Sequence, residues 1–89
     1  MSIADEIKAS GLFDKDWYLA TYRDVALSGI PPIAHFVRIG MKIGRNPGPK
    51  FDTQHYLSQV PQEALEGMAP VMHFIRVGRA QGKTATSTG

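Results

Sequence analysis

Apolar residues in this chain come in short stripes that glycine and proline interrupt. Ile33, Phe36 and Val37 recur at i, i+3 and i+4, and Val71, Phe74 and Ile75 do the same further along. That spacing predicts a core-facing helix at each place, with Pro32 and Pro70 in the first turn and Gly40 and Gly78 as left-handed residues at the end. Upstream of each stripe an aspartate, Asp14 or Asp52, stands at a predicted N-cap. Phe13 with Tyr18, and Phe51 with Tyr56, then occupy the two positions of a hydrophobic staple. These helices should carry Trp17 to Tyr22 and His55 to Gln59, ending before Arg23 and Pro61, with a further helical turn over 24–27 and 62–65. Ser2, Ile3, Asp5 and Ile7 predict a short N-terminal helix capping the first unit. Gly44 to Pro49 reads as a rigid connector, and Thr84 to Gly89, small and polar, as a disordered tail.

The two stripes belong to a longer correspondence. Displacing the sequence by 38 positions aligns Phe13–Arg45 with Phe51–Lys83 without a gap, and 13 of the 33 pairs are identical, among them Tyr18/Tyr56, Leu27/Leu65, His35/His73, Arg38/Arg76 and Gly40/Gly78. Repeats of this period mark units that bury their apolar faces on a neighbour. The expected fold is all-α: one domain over 1–83, made of two tandem helical repeats of about 38 residues (13–50 and 51–83) behind a short N-terminal helix, with 84–89 as the tail.

Composition narrows the function classes. At 89 residues the chain has room for one small core and none for a large enclosed active site. Its 43% hydrophobic and 20% charged residues are ordinary for a folded domain. The absence of cysteine removes disulfides and thiolate chemistry and fits a reducing cytoplasm, where the protein is expected. A net charge of +2 is too small an excess to indicate nucleic-acid binding. No apolar run is long enough for a membrane span, and the N-terminus, with Asp5 and Glu6, lacks the form of a signal peptide.

Phe13-Asp14-Lys15-Asp16-Trp17-Tyr18-Leu19, Tyr22-Arg23-Asp24-Val25-Ala26, Pro32-Ile33-Ala34-His35-Phe36 and Gly44-Arg45-Asn46-Pro47 together resemble a bacterial repeat. Its consensus reads F-D-x-x-Y-Y-L, P-D-V-A, G-x-x-P-L-x-H-Y and E-G-R-x-P. Such repeats occur, often in tandem, beside glycosyltransferase domains of surface-polysaccharide synthesis and in some large secreted repeat proteins. The resemblance covers Phe13 to Lys83 and implies a module rather than an activity. The second copy departs from it, with Gln62-Glu63-Ala64 in place of Asp-Val-Ala and Gln81-Gly82-Lys83 in place of Glu-Gly-Arg; if these positions bind something, copy two is expected to be the weaker site.

Each candidate residue has a structural reading beside its functional one. His35 and His73 precede a core Phe, and a repeated histidine on such a face commonly hydrogen-bonds within the fold. With no His or carboxylate four residues away and no cysteine, no metal site is expected. Asp14 and Asp52 are better explained as caps than as a paired acid and base. No nucleophile with a base, and no phosphate loop, can be assembled, so no catalysis and no cofactor are expected. Acids fall early and bases late in each copy, which suits helix dipoles; the sharper reading makes the basic ends, Arg38, Lys42 and Arg45 in the first copy and Arg76, Arg79 and Lys83 in the second, an anion site for phosphate-bearing sugar donors, lipid headgroups or an acidic partner surface. Trp17 and Tyr22 are candidates for an exposed sugar or protein contact, with inter-repeat packing as the structural reading, and Trp17, Tyr18 and Tyr56 are candidate binding residues for self-association.

The favoured expectation is a non-catalytic protein-interaction or oligomerisation module, acting with a protein partner or a second copy, associated with bacterial polysaccharide glycosyltransferases. The alternatives are a module binding glycan or sugar phosphate through Arg38, Arg76 and the aromatics, and a fragment of a larger glycosyltransferase.

Overall fold

The computed structural model describes residues 2–87, and among these the regular structure is helical, with no strand beyond an isolated bridge between Gly48 and Phe51. The α-helices are α1 (Ile3–Ser10), α2 (Lys15–Thr21), α3 (Asp24–Ser28), α4 (Pro32–Arg38), α5 (Thr53–Gln59) and α6 (Pro70–His73). A 3-10 turn, Gly40–Ile43, follows α4, and another, Gln62–Leu65, stands between α5 and α6. The last helix runs on into a π-turn, Phe74–Gly78.

Helices of seven or eight residues do not persist alone in water, so caps and packing must hold them. In α1 the Ser2 hydroxyl accepts from Asp5 N–H (3.1 Å) and the Asp5 carboxylate accepts from Ser2 N–H (3.4 Å). The Asp14 carboxylate accepts from Trp17 N–H at 3.0 Å, and that of Asp52 from Gln54 N–H at 3.1 Å. Both staples form: the Phe13 and Tyr18 rings lie 5.5 Å apart, as do those of Phe51 and Tyr56. Ile7, Tyr18, Val25, Phe36, Phe51, Tyr56, Leu65 and Val71 are fully buried in one cluster.

Four expectations change. The N-terminal helix is more than a cap on the first segment: α1 packs on α4 and also on the Phe74–Gly78 turn, burying Ile7 and joining Glu6 to Arg76 across 70 positions of sequence. Gly40 and Gly78 do not adopt left-handed backbone; Gly44 and Gly82 do, at φ 88° and 82°. What Gly40 and Gly78 provide is space, since a Cβ at either would collide with the hydroxyl of Tyr18 or Tyr56.

The aligned pair Leu27/Leu65 is not structurally equivalent. Leu27 is 89% exposed and Leu65 1%, and the inward position of the first segment is filled by Val25 instead. The second segment reaches its core two residues later, through a 3-10 turn followed by two left-handed residues, Glu66 (φ 57°) and Gly67 (φ 81°), where the first has Gly29 alone.

Finally, Thr84 and Ala85 are fastened rather than loose. The Asp14 N–H donates to Pro47 O at 3.0 Å, and 38 positions later the Asp52 N–H donates to Ala85 O at 2.9 Å. Gln59 holds Thr84 through both ends of its amide (2.8 and 3.1 Å), and His55 Nε2 lies 2.9 Å from the Thr84 hydroxyl. Of the expected tail, Thr88 and Gly89 lie outside the described residues.

Candidate functional site

Four of the eight candidate residues form two buried pairs. Tyr18 Oη lies 2.9 Å from His35 Nδ1, and Tyr56 Oη lies 2.6 Å from His73 Nδ1. Both tyrosines are 0% exposed and both histidines 4%. The geometry follows from the local sequence: the staple turns the tyrosine inward from the first helix, the proline-started second helix presents histidine and phenylalanine, and the glycine behind leaves room for the hydroxyl. Tyr18 and Phe36 meet edge-on at 5.6 Å, as do Tyr56 and Phe74. Burial pushes both phenols above the ordinary tyrosine range, and Arg45 partly opposes the shift at Tyr18. Each hydroxyl therefore keeps its proton near neutral pH, and every buried side-chain polar atom of the described residues has a partner. These pairs bolt the two helices of each segment together.

The arginines are placed differently. Arg45 grips Asp24 with two bonds (3.0 and 3.1 Å) while its guanidinium stacks 4.6 Å over the Tyr22 ring. This contact holds the Asp24 carboxyl below its usual range and raises Arg45. Trp17, half-buried, meets Tyr22 edge-on at 6.0 Å. Arg76 grips Glu6 (3.0 and 2.6 Å), which lowers the Glu6 carboxyl and raises Arg76. Arg38 is exposed and makes no ion pair among the described residues. Two of the six expected anion-binding cations, Arg45 and Arg76, are thus already matched by carboxylates of the chain. Sequence reasoning missed Asp24, Glu6 and Gln59 as their partners and fasteners. Only Asp24 carried a signal, since it and Arg45 are both motif positions.

Among the clefts of the described residues, two bear on function. One, of about 430 Å³, lies between α1 and the two segments and is lined by Ile3, Met41, Met68 and Met72, with Lys42 and Arg76 also on its wall. The other, of about 420 Å³, belongs to the second segment and is lined by Val60, Ala64, Glu66, His73 and Lys83 among others. Among the described residues no three His, Asp or Glu side chains gather closely enough to hold a metal ion, and no helix is long and apolar enough to cross a membrane. Compared with known proteins, the chain matches no family model, no curated protein and no solved structure.

Proposed function

We propose that this chain is a non-catalytic module of two tandem helical repeats that works through protein contacts and, as its motif resemblance suggests, serves bacterial surface-polysaccharide glycosyltransferases. The supporting observation is the fate of the chemistry-bearing side chains. Tyr18, His35, Tyr56 and His73 are spent on internal hydrogen bonds, whereas a cleft of about 430 Å³ is lined by Met68 and by the edges of the core residues Met41 and Met72. Methionine packs adaptably and suits a contact surface. Beside that cleft the chain also exposes Ile3 (38%) and, on the 3-10 turn that carries Met41, Ile43 (62%). The sugar-phosphate alternative is weakened because Arg45 and Arg76 already hold Asp24 and Glu6.

A second copy of the chain is the occupant to test first. Light scattering across a wide concentration range should show the solution mass rising with concentration, and Met68→Glu, at a half-buried cleft position, should abolish that rise while leaving the far-UV spectrum unchanged. A monomer at all concentrations that binds an oligosaccharide saturably would overturn the reading in favour of a glycan-binding module.

A further inference from the structure

The two segments differ most where the first is sealed and the second is open. In the first, Tyr22, Asp24 and Arg45 close over the Tyr18–His35 pair: Arg45 stacks on Tyr22 and holds the Asp24 carboxylate. Arg45 also holds the Asp24 carboxyl below its usual range. The first segment thus sets a carboxylate against the cation that covers the pair.

In the second segment Val60 replaces Tyr22 and Lys83 replaces Arg45. The replacement for Asp24 follows from the shifted core. Asp24 immediately precedes the buried Val25, and the residue immediately before the buried Leu65 is Ala64. Gln62, its partner in the ungapped alignment, instead lines the other cleft. A methyl group therefore stands in place of the carboxylate, and Val60, Ala64, His73 and Lys83 line an open cleft of about 420 Å³ at that place. Lys83 is half-buried and has no ion pair among the described residues. The acidic group on the wall is Glu66, exposed and likewise without an ion pair among those residues.

We infer that this cleft receives the carboxylate of an acidic side chain from a polypeptide partner, held by Lys83 beside His73 as Asp24 is held by Arg45 in the first segment. The polypeptide source rests on the protein-contact reading; the preference for a carboxylate rests on the cleft. The departures from the repeat motif in the second copy then mark the open site.

The test is an NMR titration of the full chain with N-acetyl-aspartate N-methylamide, and separately with the asparagine counterpart, which has the same shape and no charge. The aspartate probe should give saturable shifts at Ala64, His73 and Lys83, and the asparagine probe none. Lys83→Gln should weaken binding about fivefold, the upper range for an accessible ion pair. Glu66→Gln should strengthen it by removing a like charge. Ala64→Asp supplies the carboxylate internally and should abolish binding with the fold retained.

Equal response to both probes, no response to either, or undiminished binding in both Lys83→Gln and Ala64→Asp would overturn the inference. Its failure is separable from that of the module reading. Concentration-dependent self-association without probe binding would leave the module and remove the cleft. Probe binding by a chain that makes no protein contact would do the reverse.

Discussion

Replacing a helical glycine by alanine ordinarily stabilises a protein by about 0.5–1 kcal/mol. Gly78→Ala should do the opposite here. The added Cβ would land on the Tyr56 hydroxyl and would also lie 3.0 Å from Cζ and 3.2 Å from Cε1 of that ring. Tyr56 cannot swing away freely, because it is fully buried, packed on Phe51 at 5.5 Å and Phe74 at 5.6 Å, and hydrogen-bonded to His73 at 2.6 Å. Displacing it disrupts the hydrogen bond to His73, a loss of about 1–3 kcal/mol if one buried polar group goes unsatisfied, and overpacks the core by about 1–3 kcal/mol more. Set against the helical gain, the net loss is about 1–5 kcal/mol. A chain of 89 residues at about 0.05–0.15 kcal/mol per residue has a total stability of about 4–13 kcal/mol, so the loss should be plain in a urea midpoint.

Tyr56→Phe separates the close approach from a general intolerance of alanine. Alone it leaves His73 Nδ1 without its partner, a loss of about 1–3 kcal/mol. In the double variant the oxygen that the new Cβ meets is gone, so the combined loss should fall short of the sum by about 1 kcal/mol or more. Urea unfolding followed by far-UV circular dichroism and by Trp17 fluorescence gives all four corners of the cycle. Additive losses, or a Gly78→Ala chain as stable as the parent, would refute the reasoning.

Three further outcomes follow from the same contacts. Leu65→Ala should lose about 2–5 kcal/mol and Leu27→Ala less than about 0.5 kcal/mol by urea unfolding, although the two leucines align, because only Leu65 is buried. Stability should be level up to the ordinary tyrosine value of 10.0 and fall as pH rises from there toward the raised folded values of Tyr18 and Tyr56, since the unfolded chain releases those protons first; the fall should be shallower in Tyr18→Phe and Tyr56→Phe in alkaline urea titrations. Glu6 has the opposite sign: its lowered carboxyl contributes above the ordinary value of 4.5 and loses that contribution as pH falls through the folded value, so the protection of α1 amides relative to their intrinsic exchange should fall on acidification, and less so in Glu6→Gln.

The local elements were legible where one residue type has one strong physical use. Aspartate before an apolar run, phenylalanine five residues before tyrosine, and proline at a helix start each specify a short-range geometry, and each formed as the spacing predicts. Gly40 and Gly78 were misread because glycine has two uses, left-handed backbone and close approach, and sequence position alone favours the first. The Leu27/Leu65 pairing failed because an ungapped alignment assumes equal turns, whereas an α-helical and a 3-10 turn advance the chain differently. Asp24–Arg45, 21 positions apart, and Glu6–Arg76, 70 apart, could not be paired before the fold was known.

Which positions match and which differ carries a further lesson. Phe51, Tyr18 and Tyr56, His35 and His73, and Phe36 and Phe74 belong to identical pairs, and all are buried. At these positions identity is explained by packing and says little about recognition. The differing pairs Tyr22/Val60, Thr21/Gln59 and Asn46/Thr84 cluster where the chain after each second helix is fastened back. There Tyr22 Oη accepts from Asn46 N–H at 2.9 Å in the first segment, and the Gln59 amide takes over that duty at Thr84 in the second. Because Gln59 does the fastening, position 60 is free of it, and valine there leaves the cleft beside His73 unfilled. Even the identical Arg38 and Arg76 diverge, since α1 brings Glu6 to Arg76 and leaves Arg38 exposed. Two segments that share these buried contacts thus present different surfaces, and on the proposed interaction reading any discrimination between partners falls on the substituted and asymmetrically covered positions.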